Sequence, residues 1–141
     1  MMTYVQWFEM HGNKHRALTQ KLLSAGLSQN EIIRYFRFDN MVEKEKDFCE
    51  LYKTKSKCHD MEELNCYLCA CPNFHFTQNP EKQNDKLIHS HCSIDSKDGA
   101  IFEHESNVHQ DCSGCLVPHH ESYIEKNYNP LWFEVMKDCE E

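Results

Sequence analysis

Apolar residues in the first third of the chain recur at the spacing of an amphipathic helix. They do so between Asn13 and Ala25, and Gly26 can supply the left-handed residue that ends a helix. Ser28 and Glu31 then form a Ser-x-x-Glu capping box just ahead of a second apolar run. We therefore predict two helices joined by a glycine turn, which is an N-terminal helical hairpin.

The second half of the chain has a different pattern, with short apolar runs separated by turn residues between positions 74 and 102. The dipeptide Asp98-Gly99 is a hairpin signal, and we predict strands on either side of it, at residues 92–94 and 100–102. The segment from Pro130 to Met136 predicts a C-terminal amphipathic helix. The expected fold class is α+β, with a small β core between the helical hairpin and the C-terminal helix.

Length and composition indicate a globular protein, because 141 residues with 40% hydrophobic and 11% aromatic content suffice for a modest core. We predict a helical N-terminal extension at residues 1–60 and a cysteine-rich domain with the C-terminal helix at residues 61–141, packed as one compact unit. The N-terminus has no apolar stretch of signal-peptide or membrane-span length. We therefore expect a cytoplasmic protein with no membrane partner.

The net charge of −8 is unevenly distributed. Residues 1–38 contain five basic and two acidic side chains, a local charge of +3, which leaves −11 for residues 39–141. An acidic surface repels phosphate backbones, so binding to nucleic acid is not expected. The alternative is a helix-turn-helix with Arg34 and Arg37 on the second helix, although plain helical hairpins are far commoner.

Two Cys-x2-Cys pairs carry the strongest chemical signal. Cys66 and Cys69 form the first pair, and Cys112 and Cys115 form the second. Such a pair places two thiolates on one tight turn at the separation that a tetrahedral ion requires, and two pairs make a closed site. We therefore predict a metal site on these four cysteines in a zinc-ribbon-like β core with cysteine knuckles. Disulfides are disfavoured, because the cysteine count is odd and a reducing compartment is expected.

Further cysteines and histidines nearby could hold a second ion or substitute into the first site. The candidate ligands are Cys71, Cys92, His75, His109, His119 and His120. Cys49 is interpreted as a packing residue, since its separation from Cys58 matches no ligand-pair spacing. Cys58 and His59 are treated as accessory residues.

The run from Cys66 to Pro72, together with the run from Asp111 to His119, resembles the prokaryotic cysteine-rich small domain family. The resemblance covers roughly residues 63–123 and implies a zinc-finger-like, metal-binding protein with a link to cofactor metabolism. Several relatives carry a further cysteine soon after the Cys-Pro step, where this chain has His75 and Phe76. The family carries no established activity to this chain.

Zinc, as one or two ions, is the expected metal, because sites of four cysteines or of three cysteines and one histidine mostly bind it. The alternative is a [4Fe-4S] cluster on Cys66, Cys69 and Cys71 with a fourth cysteine from later in the chain.

The favoured function is a structural or interaction module, or an accessory factor, with another protein as its partner. An iron–sulfur protein with a redox or metal-transfer role and a metal-responsive regulator are the alternatives. Recognised catalytic motifs are absent, so enzymatic activity is left open and is not favoured.

Overall fold

Two capping boxes set the starts of the first two helices in the computed structural model, which describes residues 2–141. The Thr3 hydroxyl accepts from the Gln6 amide N–H at 3.2 Å, and the Gln6 side chain accepts from the Thr3 N–H at 2.9 Å. Ser28 and Glu31 make the same reciprocal pair. Between the helices, Gly26 has φ +86°. The two helices and their glycine turn are confirmed, but the first begins nine residues before Asn13.

The part of the chain that the structure describes is a mixed α+β fold with five α-helices and six short strands. The helices are α1 (Tyr4–Ser24), α2 (Gln29–Tyr35), α3 (Phe38–Lys44), α4 (Glu121–Lys126) and α5 (Trp132–Val135). The strands are β1 (Phe74–Phe76), β2 (Lys82–Gln83), β3 (Lys86–Ile88), β4 (Ser90–Cys92), β5 (Ala100–His104) and β6 (Asn107–Asp111). Two 3₁₀ turns span Glu50–Thr54 and Val117–His119. The C-terminal helix, α5, is thus shorter than predicted.

Arg37 lies outside the second helix, so the position that the helix-turn-helix alternative gave this residue is wrong. Helix α2 ends at Tyr35, and Arg37 is the residue before α3. Its guanidinium donates to both carboxylate oxygens of Glu121, at 2.6 and 2.8 Å. The side chain therefore links two parts of the fold.

The strands form two small sheets. In the first, β1 pairs with β4 antiparallel. The second has the order β2-β3-β6-β5, with a parallel β3–β6 pair and two antiparallel hairpins. The turns of these hairpins, Asn84-Asp85 and Glu105-Ser106, have positive φ at both residues, as a two-residue hairpin turn of type I′ requires.

The hairpin predicted at Asp98-Gly99 is wrong. Strand β4 pairs with β1, and β5 pairs with β6. Neither Asp98 nor Gly99 has a positive φ, so this turn does not fold the chain back on itself as a two-residue hairpin would. It instead carries the chain from the first sheet to the second.

The helices and the cysteine-rich segment share one core. Phe36, Tyr67 and Trp132 are completely buried and belong to the same hydrophobic cluster. The buried His15 ring bonds the Tyr67 carbonyl at 2.9 Å, and an isolated β-bridge joins Arg37 to Asn65. Among residues 2–141, no helix has the length and apolar character that a membrane span needs.

Candidate metal centre

A left-handed kink separates the first cysteine pair from Cys71. Ala70 and Cys71 have φ of +84° and +56°, and the Cys71 N–H donates to the Leu68 carbonyl at 3.0 Å. Non-glycine residues adopt this conformation at a cost of about 1–2 kcal/mol each. As a result, Cys69 and Cys71 line different cavities although one residue separates them. The indole N–H of Trp132 donates to the Cys69 carbonyl at 3.2 Å and ties this turn to the core.

Four cysteines gather on the side of the kink that faces the helices. This helix-side group consists of Cys49, Cys58, Cys66 and Cys69. A hydrogen bond between the thiols of Cys66 and Cys69 lowers the pKa of Cys66 and raises that of Cys69. The pKa of Cys58 is raised to about 12, mainly because the thiol is partly buried and to a smaller extent because the sulfurs of Cys66 and Cys49 lie nearby. Thiols that raise one another's pKa in this way become thiolates readily once a cation lies among them.

Two histidine rings point at the Cys58 thiol of this group. The buried His119 ring donates through Nδ1 to the Asn65 carbonyl at 2.9 Å, and its Nε2 faces the Cys58 sulfur at 3.8 Å. The His59 ring donates through Nε2 to the Cys112 carbonyl at 3.0 Å and faces the same sulfur through Nδ1, also at 3.0 Å. All three ligand atoms lie within 4.8 Å of one another.

This arrangement is typical of metal-binding histidines. A ligating imidazole usually donates its second ring N–H to a carbonyl or carboxylate, which fixes the tautomer and directs the free lone pair at the ion. Burial lowers the pKa of His119 to about 4, so its ring is neutral at physiological pH. His119 therefore presents a free lone pair toward the Cys58 sulfur.

Asn65 holds His119 in place and connects it to the helices. Besides accepting from His119, Asn65 donates its side-chain N–H groups to the Ile33 carbonyl at 2.7 Å and to Glu121 at 3.1 Å. Its side-chain oxygen accepts from the Tyr67 N–H at 2.9 Å. Because Asn65 is completely buried, this network fixes the histidine rigidly beside the cysteine turn.

The remaining cysteines near the turns line a cavity of about 320 Å³ on the opposite side of the kink. This sheet-side group consists of Cys71, Cys92, Cys112 and Cys115. Cys92 comes from β4, and Cys112 and Cys115 form a tight turn after β6, with the Cys115 N–H donating to the Cys112 carbonyl at 3.0 Å. The pKa of Cys112 is raised to about 12, mainly by burial and to a smaller extent by the nearby sulfurs of Cys71, Cys115 and Cys92. Burial likewise raises the pKa of Cys71 to about 11.

The structure divides the expected four-cysteine site between the two groups. Cys66 and Cys69 lie with Cys58 and Cys49, whereas Cys112 and Cys115 lie with Cys71 and Cys92. The groups are adjacent, because His59 and His119 border both cavities.

The other histidine candidates lie elsewhere. His75 is on the first sheet beside His91 and Glu141. His109 stacks on His89 with ring centres 4.5 Å apart, and the exposed His120 precedes α4.

Sequence reasoning gave Cys58 and His59 only an accessory role and treated Cys49 as a packing residue. The structure places Cys58 beside His59 and His119 and gathers Cys49 with the other cysteines of the helix-side group. One available signal was the adjacent Cys58-His59 pair, because neighbouring donors in a loop are a common source of ligands. Another was the cysteine count. Cys139 is 1% exposed, and its sulfur lies 3.7 Å from the carbonyl oxygens of Cys71 and Pro72. With Cys139 set aside as a packing residue, the other eight cysteines form two sets of four.

No protein-family model, no curated protein and no solved structure matches this chain. The resemblance to the cysteine-rich small domain family therefore stays a prediction that rests on the motif residues alone.

Proposed function

We propose that this protein is a zinc-binding module in which one ion is held in each cysteine group. The observation that carries the proposal is the His119 ring, which donates to the Asn65 carbonyl through Nδ1 and faces the Cys58 thiol through Nε2. A neutral lone pair held in this way suits a borderline ion such as Zn²⁺.

The first ion would be bound by Cys58, Cys66, Cys69 and His119, a set of three cysteines and one histidine. The donor types are those of structural zinc sites, and the set leaves no position for a reacting water. His59 would keep its hydrogen bond to the Cys112 carbonyl and so connect the two sites. A closed site of this kind supports a structural role rather than catalysis.

The second ion would be bound by the sheet-side group, as a site of four cysteines. Its Cys112–Cys115 turn follows β6 and faces Cys92 on β4, which supports the zinc-ribbon-like character expected for the β core. The hydroxyl of Ser96 lies 3.2 Å from the Cys115 sulfur and can stabilise a thiolate there by donating a hydrogen bond. The ion would join β4 and β6 to the first cysteine turn.

The module would serve as an interaction or accessory factor with a protein partner. Strand β5 lies at an edge of the larger sheet and carries Ile101 and Phe102 at 64% and 56% exposure. Exposed apolar side chains on an unpaired edge are typical of surfaces that bind another chain. The regulator alternative is less supported, since α2 has only seven residues and Arg37 is paired with Glu121.

Metal counting on single and double variants tests the proposal. We expect two zinc ions per chain in the wild type, one in Cys69→Ser, one in Cys112→Ser and none in the double variant, because the two cysteines would bind different ions. Cys139→Ser, the packing control, should keep both. If the double variant loses no more metal than either single variant, the two cysteine pairs share one ion and the proposal is wrong.

An absorption spectrum of the anaerobically purified protein tests the iron–sulfur alternative in the same samples. A zinc protein is colourless, whereas thiolate–iron absorption lies near ~400 nm. The position of Cys71 in the other cavity weighs against a cluster on the Cys66, Cys69 and Cys71 trio. Stoichiometric iron with that absorption would replace the zinc proposal.

A further inference from the structure

A second type of donor cluster lies on the first sheet, on the face away from the cysteines. His75 of β1 and His91 of β4 are directly opposite each other in the antiparallel ladder. Their rings stack with centres 5.2 Å apart and an interplanar angle of 15°. The neighbouring pair, Phe74 and Cys92, lines the sheet-side cavity. Since successive strand residues point to opposite faces, the two histidines point away from that cavity.

A carboxylate completes this cluster from the third strand-like segment of the same sheet. The Phe76 N–H donates to the Cys139 carbonyl, and the Glu141 N–H donates to the Phe76 carbonyl, both at 2.8 Å. This pairing brings the Glu141 carboxylate to 3.0 Å from His91 Nε2 and 3.7 Å from His75 Nδ1. The three ligand atoms lie within 4.8 Å of one another.

The Nδ1 atom of His75 has no hydrogen-bond partner among the described residues, although it is buried. A buried polar atom without a partner destabilises the fold, because it has lost its hydrogen bonds to water and gained none in return. The 3.7 Å separation from Glu141 is too long for a hydrogen bond. A cation between the ring nitrogens and the carboxylate would bind His75 Nδ1 and would also neutralise the charge of Glu141.

We propose that His75, His91 and Glu141 form a third metal site, which takes a borderline divalent transition-metal ion such as Ni²⁺ or Zn²⁺. Imidazole and carboxylate donors suit such ions. The proposal goes beyond the two cysteine sites and does not depend on them, since none of its ligands is a cysteine. With His91 and Glu141 each about half exposed, the ion keeps open positions for water and exchanges with solution, unlike an ion closed in by thiolates.

The site also has a structural consequence. Glu141 reaches the histidines through the segment that contains Cys139, whose sulfur packs on the carbonyls of Cys71 and Pro72. An ion that joins Glu141 to β1 and β4 holds this segment against the sheet. Metal binding at this exposed site thus stabilises the segment that contains Cys139, which packs against Cys71 of the sheet-side group.

Equilibrium dialysis of the zinc-loaded protein, residues 1–141, against Ni²⁺ tests this site, with nickel and zinc measured in the same samples. We expect the wild type to take up one Ni²⁺ and to keep all its zinc. His91→Ala and Glu141→Gln should each lose the bound nickel without losing zinc. His109→Ala, which removes a ring from the stacked pair His89 and His109, is the matched control and should bind nickel normally.

Three results would overturn the proposal: no nickel bound by the wild type, equal uptake by His91→Ala, or release of one zinc for each nickel bound. Amide spectra give a second measurement, because paramagnetic Ni²⁺ should first broaden the signals around residues 75, 91 and 141. Nickel uptake by a protein that holds no zinc would support this site while contradicting the proposed function. The two proposals can therefore fail separately.

Discussion

The helical region and the larger sheet are stabilised in different ways. The helices and the first cysteine turn bury large side chains, and Phe36, Tyr67 and Trp132 have no exposed surface. In the four-stranded sheet, as the structure describes it, Val108 is the one buried apolar side chain, at 8% exposure, and every residue of β5 is exposed. Burial of apolar surface is the main driving force of folding, so the sheet gains far less from it than the helices do.

This difference indicates where a metal ion would matter most. The helix-side group lies within and against a core of large apolar side chains, whereas the sheet-side group joins elements that bury little apolar surface. Structural zinc contributes about 10 kcal/mol or more to the folding of small domains with marginal cores. The sheet should therefore depend on its ion, and the helices should depend on their core.

Metal removal should cause the largest difference in stability between the sheet and the helices. With a strong chelator at neutral pH, we expect amide exchange to become fast in residues 74–115 while α1 stays protected, because only the sheet loses its main source of stability. Hydrogen exchange measured residue by residue checks this, with re-addition of zinc as the control. Equal loss of protection in both regions would show that the molecule folds as one cooperative unit.

A pair of aromatic substitutions should have the next largest effect. Phe36→Ala removes a completely buried ring and should cost about 3–5 kcal/mol. Phe102→Ala removes a ring that is 56% exposed on β5 and should change stability by no more than about 0.5 kcal/mol. Denaturant unfolding of the zinc-loaded proteins measures both values. Comparable losses would mean that the sheet contributes a core of its own.

Replacing a buried histidine, His11, should have the smallest effect on stability of the three changes, and this effect depends on pH. His11 stacks on Trp7 with ring centres 4.9 Å apart, and burial lowers its pKa to about 4. In the unfolded chain the ring protonates near pH 6.5. Its contribution to stability is therefore complete above pH 6.5 and falls as the pH drops toward 4, by about 1.4 kcal/mol per pH unit.

His11→Phe removes this dependence, so its stability relative to the wild type should rise by roughly 2 kcal/mol between pH 7 and pH 5. Comparing the two proteins at each pH cancels the shared loss of metal in acid. Leu18→Ala changes a buried residue of α1 that carries no ionisable group and is the control, for which the difference should not vary with pH. If the stability difference between His11→Phe and the wild type also stays constant with pH, the His11 ring is not held in its neutral form by burial.

Two buried histidines, His11 and His15, explain why the first helix was predicted too short. Its buried face includes Phe8, His11, His15, Leu18 and Leu22, which is a regular helical spacing. Two of these positions hold residues that count as polar, so the apolar pattern is interrupted before Leu18. The Thr3 and Gln6 capping box marked the true start. Local capping chemistry was therefore more reliable here than hydrophobic periodicity.

Turn chemistry was informative at some positions and misleading at others. Gly26 and the box at Ser28 gave correct helix ends, because these signals act through bonds between near neighbours. Asp98-Gly99 matches a hairpin sequence but is not a hairpin turn, whereas Glu105-Ser106 is one without the preferred residues. Strand pairing is decided by contacts across the sheet, and these can override turn preference.

The general α+β class could be inferred from the sequence, because helix caps and short apolar runs depend on residues close together along the chain. The spatial grouping of the cysteines and histidines could not be inferred in this way. Cys69 and Cys71 face different cavities because packing holds Ala70 and Cys71 in a left-handed conformation that neither residue favours. Long-range packing likewise brings Cys58 beside His119, 61 positions later. Spacing carries no information about such contacts, so the grouping of the cysteines depended on the tertiary structure.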